Sequence, residues 1–162
     1  MLCRLAGVLT RSGQTADAIQ VGRQALAMAD AFGLERQRSQ VLNLIGLARI
    51  LSGDHAGVAD QERAVAVAQR ANLPEAAAAA GNLAETLIVL GDLARGFELQ
   101  AEARKVAERF GSVIDQRWLQ VSLAWQHYLE GHWEAALTEA DQFLAAVAAG
   151  SPHFAETACR QL

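Results

Sequence analysis

Cysteine, proline, tyrosine and long apolar runs are nearly missing from this chain of 162 residues. The two cysteines, Cys3 and Cys159, stand at opposite ends, and an elongated array holds them too far apart for a disulfide. Nothing therefore points to an oxidising compartment. The two prolines, Pro74 and Pro152, leave the helical pattern unbroken, each falling at the predicted first turn of a helix, where proline is tolerated. No stretch approaches 18 uncharged apolar residues, so no membrane span is expected. Arg4 and Arg11 interrupt the N-terminal stretch, which excludes a signal peptide pattern. Positive charge is also lacking: the formal net charge is −4 and the pI about 5.5. That argues against direct nucleic-acid binding and against an anionic membrane surface, both of which need a basic field. The default compartment is cytoplasmic.

Catalytic and metal patterns are absent as well. There is no Walker loop, GxSxG, GxGxxG, HExxH or CxxC. His127 and His132 lie five apart across a turn, near Glu130 and Glu134, which is not the helical spacing of a ligand pair. No metal, no cofactor and no enzymatic activity are expected. Glu75, Asp92 and Asp115 near helix starts are explained by capping and dipole complementation.

What is present is a regular series of helix stops. Gly13, Gly33, Gly53, Asn72, Gly91, Gly111, Gly131 and Gly150 follow one another at steps of 19 or 20 residues. Glycine, and next best asparagine, takes the left-handed conformation that ends a helix. The steps predict helices near 1–12, 14–32, 35–52, 55–71, 74–90, 92–110, 113–130, 132–149 and 152–162. Two helices make one unit of 39–40 residues, the mark of an α-solenoid. The expectation is one domain over 1–162, with units at about 1–33, 34–72, 73–111 and 112–150 and a partial unit at 151–162.

The units align on their internal turn glycines, Gly13, Gly53, Gly91 and Gly131. Seven residues earlier stand small residues, Ala6, Gly46, Ala84 and Ala124, each preceded by a large aliphatic, Leu5, Ile45, Leu83 or Leu123. After the turn come Ala18, Gly57, Gly96 and Ala136, followed by Ile19, Val58, Phe97 and Leu137. A third small position holds Ala25, Ala64 and Ala103, but Phe143 in the fourth unit. Small residues at such points let helix axes approach closely, and the large neighbours are expected to fill the groove alongside.

This spacing of large, small, turn glycine and small is similar to the tetratricopeptide (TPR) repeat. Ile45-Gly46, Gly53-Asp54 and Gly57 match its pattern, as do Leu83-Ala84, Gly91-Asp92 and Gly96, and Leu123-Ala124, Gly131-His132 and Ala136. Three features depart from it: the units are longer, the unit-ending proline is mostly absent, and the first-helix tryptophan is replaced by Leu2, Leu42, Ala80 and Gln120. The resemblance implies an all-α, right-handed α-α superhelix. The longer units resemble the helical arrays of large bacterial signalling regulators that carry an NTPase module, often with a LuxR-type DNA-binding or nucleotide cyclase domain. Residues 107–111, 130–137 and 150–153 carry that likeness. The short first helix and the end at Leu162 fit a piece of a longer chain. The apolar positions 154, 155, 158, 159 and 162 form a stripe awaiting a neighbour, so self-association through uncapped terminal helices is an expectation.

The resemblance places a partner-binding concave face on the first helix of each unit. Carried over position by position, it selects Asn43, Leu47, Asn82, Glu85, Trp118, Trp125 and Tyr128. Asparagine offers a peptide backbone both a donor and an acceptor, and Trp and Tyr are strong interface anchors. The plainer alternatives stand beside this: Trp118 and Trp125 as core, Asn82 and Glu85 as a solvated face. No Lys or Arg occupies the selected positions, which disfavours a carboxylate clamp and suits a neutral or partly basic ligand. The expected function is a protein-interaction scaffold or sensor binding a peptide or protein partner, other domains of its parent chain included. The alternative is a small-molecule-sensing repeat domain that controls assembly of its parent protein.

Overall fold

A computed structural model describes residues 1–162. It contains nine helices and no strand: α1 (Leu2–Arg11), α2 (Thr15–Ala31), α3 (Glu35–Leu51), α4 (Gly57–Arg70), α5 (Glu75–Val89), α6 (Leu93–Arg109), α7 (Val113–Leu129), α8 (Trp133–Ala148) and α9 (Glu156–Cys159). The first eight match the expected spans to within two residues.

All eight expected stops take positive φ, 50° at Asn72 and 63° to 94° at the seven glycines. Around each, two backbone bonds close the helix. The N–H of the stop residue reaches the carbonyl three back, and the N–H of the next residue reaches the carbonyl five back, as in His132 N to His127 O at 2.8 Å. This pair of bonds satisfies carbonyls that a helix end leaves free, and it turns the chain at once into the next helix.

The ninth helix differs from expectation. The sequence places it over 152–162, but it forms only over Glu156–Cys159. The residues before it are tied to α7 instead. Ser151 O accepts from Arg117 Nη1 at 2.6 Å, and His153 Nε2 lies 3.0 Å from Ile114 O. His153 Nδ1 accepts the N–H of Ala155 at 3.1 Å, so the helix starts late and Pro152 lies outside it.

The chain forms two compact units, Met1–Leu99 and Gln100–Leu162. In the first, α1, α3 and α5 pack side by side, with α2 against α1 and α3, and α4 against α3 and α5. The small positions Ala6, Ala18, Ala25, Ala64 and Ala84 are all buried. Helices α3 and α4 approach closely where Gly46 meets Gly57 backbone to backbone. Ser39 Oγ adds a buried bond to Ala64 O at 2.9 Å. Arg49 reaches Asp54 at 2.7 Å and Asp60 at 2.5 Å, binding the end of α3 to its turn and to α4.

In the second unit, Val121, Ala140, Phe143, Ala155 and Cys159 form a core flanked by Trp118, Trp125, Leu144, Val147 and Leu162. Phe143, the exception to the small pattern, is 1% exposed. The Arg117 guanidinium lies 4.8 Å above its ring and His153 meets it edge-on at 5.6 Å. The large positions behave less uniformly than expected. Ile45 and Leu83 are buried, whereas Leu5 and Leu137 are exposed, because only some of these positions face a neighbour. No helix is long and apolar enough to cross a membrane.

Candidate functional site

In the first unit the row of first helices carries four of the selected residues. Asn43 on α3 is 9% exposed, and its Oδ1 is shut off from solvent with no hydrogen-bond partner. Leu47 and Asn82 are half-buried, and Glu85 is exposed. Leu44 lies over Gly7 of α1, since a Cβ there would stand 3.7 Å from both its methyls. Near the start of the row, Glu75 accepts from Arg36 Nε at 3.0 Å and from Gln40 Nε2 at 3.4 Å. The sequence assigns Glu75 to capping and the helix dipole alone; it also links α3 to α5.

In the second unit α7 carries the three aromatics. Trp118 and Trp125 are half-buried against the core that includes Ala155 and Cys159. The Trp125 indole N–H donates to Ala158 O at 3.3 Å, and the Trp118 ring lies 6.5 Å from that of Phe154. Both indoles therefore hold the segment around α9. Tyr128 stands outside this contact, 47% exposed, and meets Trp125 edge-on at 5.7 Å.

The structure adds polar groups that the sequence reading does not select. Gln61 on α4 is fully buried with both amide atoms unpartnered, and Gln100 on α6 is 3% exposed with Oε1 unpartnered. Both stand four residues after the second small position, Gly57 or Gly96, a shared register that could have marked them. A cleft of about 300 Å³ in the second unit is lined by Arg104, Glu108, Gln116, Arg117, Gln120 and Glu139, among others. Burial lowers the pKa of the Arg104 guanidinium against the opposing pull of Glu108 and Glu139. Arg104 Nη1 and Arg117 Nη2 are buried there without hydrogen-bond partners. The sequence hides this cleft because its cations come from two helices and share no spacing.

Comparison with known proteins places the architecture. No protein-family profile matches the chain, and no curated relative is found. Among solved structures it is similar to a Rap protein complexed with competence and sporulation factor, with a TM-score of 0.79 and 21% identity. That match covers 91% of this chain and 42% of the Rap chain, so this chain spans less than half of that protein's length. It is also similar to the nearly identical TPR-like repeats of a putative kinesin light chain from Podosopora anserina. There the TM-score is 0.69 at 18% identity, over 98% of this chain and 80% of that one. A single-substitution variant of the same repeats gives 0.70 at 18% identity, over 98% and 79%. The fold is a TPR-like helical repeat solenoid.

Proposed function

We propose that this chain is a protein-interaction module that binds an extended peptide or protein segment on the face of its first helices, as part of a larger bacterial regulator. The observation that carries the reading is Asn43 Oδ1, an acceptor buried on α3 with no partner. An unsatisfied buried polar atom costs about 1–3 kcal/mol, and a backbone N–H of an extended ligand removes that cost once the Asn43 amide, closed to solvent in the free chain, turns outward to meet it. Asn82 on α5 offers a second amide to the same kind of ligand, and exposed Glu85 favours a neutral or basic one. The Rap protein of similar fold, complexed with competence and sporulation factor, supports the reading by analogy of architecture. Affinity capture from source-cell lysate with wild type and an Asn82→Ala, Glu85→Arg variant tests it. A partner held by wild type and lost by the folded variant is expected; equal capture by both moves binding off this face.

A second reading, small-molecule sensing that controls assembly of the parent protein, is favoured by the Arg104–Arg117 cleft. Its two guanidinium groups, each with an unpartnered nitrogen, suit a small carboxylate or phosphate. A thermal shift with such anions, abolished by Arg104→Gln, distinguishes this reading from the first.

A further inference from the structure

The α7–α8 turn brings together three side chains that no part of the proposed function uses. His127 lies in the last turn of α7, Glu130 ends that helix, and His132 is the residue from which α8 starts. Five residues apart in sequence, the two histidines are neighbours because the helix-ending turn at Gly131, with φ 80°, folds the chain back. The equivalent positions at the α3–α4 turn hold Arg49 and Asp54, which meet at 2.7 Å, and here the two imidazole rings stand with centroids 6.1 Å apart.

We propose that His127, Glu130 and His132 form a Zn²⁺ site at the α7–α8 turn. One nitrogen or oxygen atom from each residue lies within 4.8 Å of the other two. Glu130 Oε2 is 3.4 Å from His132 Nδ1 and 3.9 Å from His127 Nδ1. In a tetrahedral zinc site, metal–ligand bonds of about 2.0–2.2 Å put neighbouring ligands about 3.3–3.5 Å apart. Of the three edges, Glu130–His132 already has that length and Glu130–His127 needs a closure of about half an ångström. The His127–His132 edge, within 4.8 Å, closes by rotation of the exposed His132 ring.

Two further observations point to a cation. Gln126 Nε2 donates to Glu130 Oε1 at 3.0 Å. That bond leaves Oε2 turned toward the imidazoles, as outer partners of metal-binding carboxylates do. His127 Nδ1 is buried with no hydrogen-bond partner. A metal–nitrogen bond supplies what that atom lacks. Two imidazoles and one carboxylate suit Zn²⁺, whereas Mg²⁺ and Ca²⁺ prefer oxygen donors alone. The fourth position faces an open cleft of about 630 Å³ lined by Gly131, Trp133, Glu134 and Ala135, which leaves room for a water ligand. Bound there, Zn²⁺ clips the end of α7 to the start of α8.

The test is a Zn²⁺ titration of the full chain, after chelator treatment, read by competition with a chromophoric chelator. One equivalent is expected to bind with a Kd below about 10 µM, weakened about tenfold or more in each of His127→Gln, Glu130→Gln and His132→Gln. His55→Gln and His153→Gln, lying elsewhere, are expected to bind as wild type. Co²⁺ in place of Zn²⁺ is expected to give the visible absorption of a tetrahedral site in wild type and to lose it in the three site variants. His132 and Glu130 are partly solvent-facing, and circular dichroism verifies that their variants remain helical. Weaker wild-type binding, unchanged affinity in the three variants, or equal loss in the His55 and His153 variants overturns the proposal.

Discussion

Gly46 on α3 and Gly57 on α4 meet so closely that neither can carry a side chain. A Cβ on Gly46 would stand 2.6 Å from the carbonyl oxygen of Gly57, and a Cβ on Gly57 would land on the carbonyl oxygen of Gly46 and 2.9 Å from Arg49 Cβ. The obstacle in both directions is backbone, which cannot swing aside as a side-chain tip can.

Gly57→Ala is therefore expected to destabilise the chain by about 1–3 kcal/mol despite the better helix propensity of alanine. Gly7→Ala is the contrasting case. A Cβ there meets nothing closer than 3.5 Å, so the substitution is expected to stabilise by about 0.5–1 kcal/mol. Urea denaturation of both variants measures the two effects; a neutral Gly57→Ala would show that the helices separate without cost.

Asp54 carries an acid-side dependence. The hydrogen bond from Arg49, and after it the Ala56 N–H, holds its carboxyl below the ordinary aspartate value of 3.8. A depressed folded value contributes stability that is present above the unfolded value and is lost as pH falls through the folded one. Asp54→Asn is expected to be less stable than wild type at pH 7, with the gap closing below about pH 4. Thermal unfolding across about pH 2.5–7, an interval chosen to bracket the ordinary value, measures it; a gap that persists unchanged at the acid end would show that the carboxylate contributes nothing.

Trp125 is committed to the segment around α9 through its bond to Ala158 O. Trp125→Ala is expected to cost about 2–3 kcal/mol, because a half-buried indole leaves a cavity smaller than a fully buried one would. Trp125→Phe is expected to lose only about 1 kcal/mol, the value of the single hydrogen bond. Hydrogen exchange over 154–162 is the readout, and it should quicken in the alanine variant alone. A functional assay that relies on Trp125→Ala would mix this structural loss with any loss of binding.

Cys159 reports on the same contact. It is 2% exposed, and burial pushes its thiol above the ordinary value. Cys3 is half-buried near the start of the chain. A thiol-reactive reagent is expected to modify Cys3 first and Cys159 about tenfold or more slowly, with the difference abolished in urea. Equal rates in the native chain would place Cys159 at the surface.

Sequence alone determined the architecture. The eight stops lie at nearly equal steps, each needs a left-handed residue, and glycine or asparagine supplies it, so local chemistry dictated every turn from α1 to α8. The small positions were legible for the same reason, since close helix packing admits little else at Gly46, Gly57 or Ala84. Their large neighbours were not, because burial of Leu5 or Leu137 depends on which helix happens to lie alongside. Tertiary structure decided the site chemistry. Whether Trp125 faces a partner or α9, whether Asn43 finds a hydrogen bond, and whether His127 meets His132 all depend on through-space neighbours. A turn that reverses the chain brings these two histidines, five apart, to ring centroids 6.1 Å from each other, and helical periodicity alone assigns them to no common face.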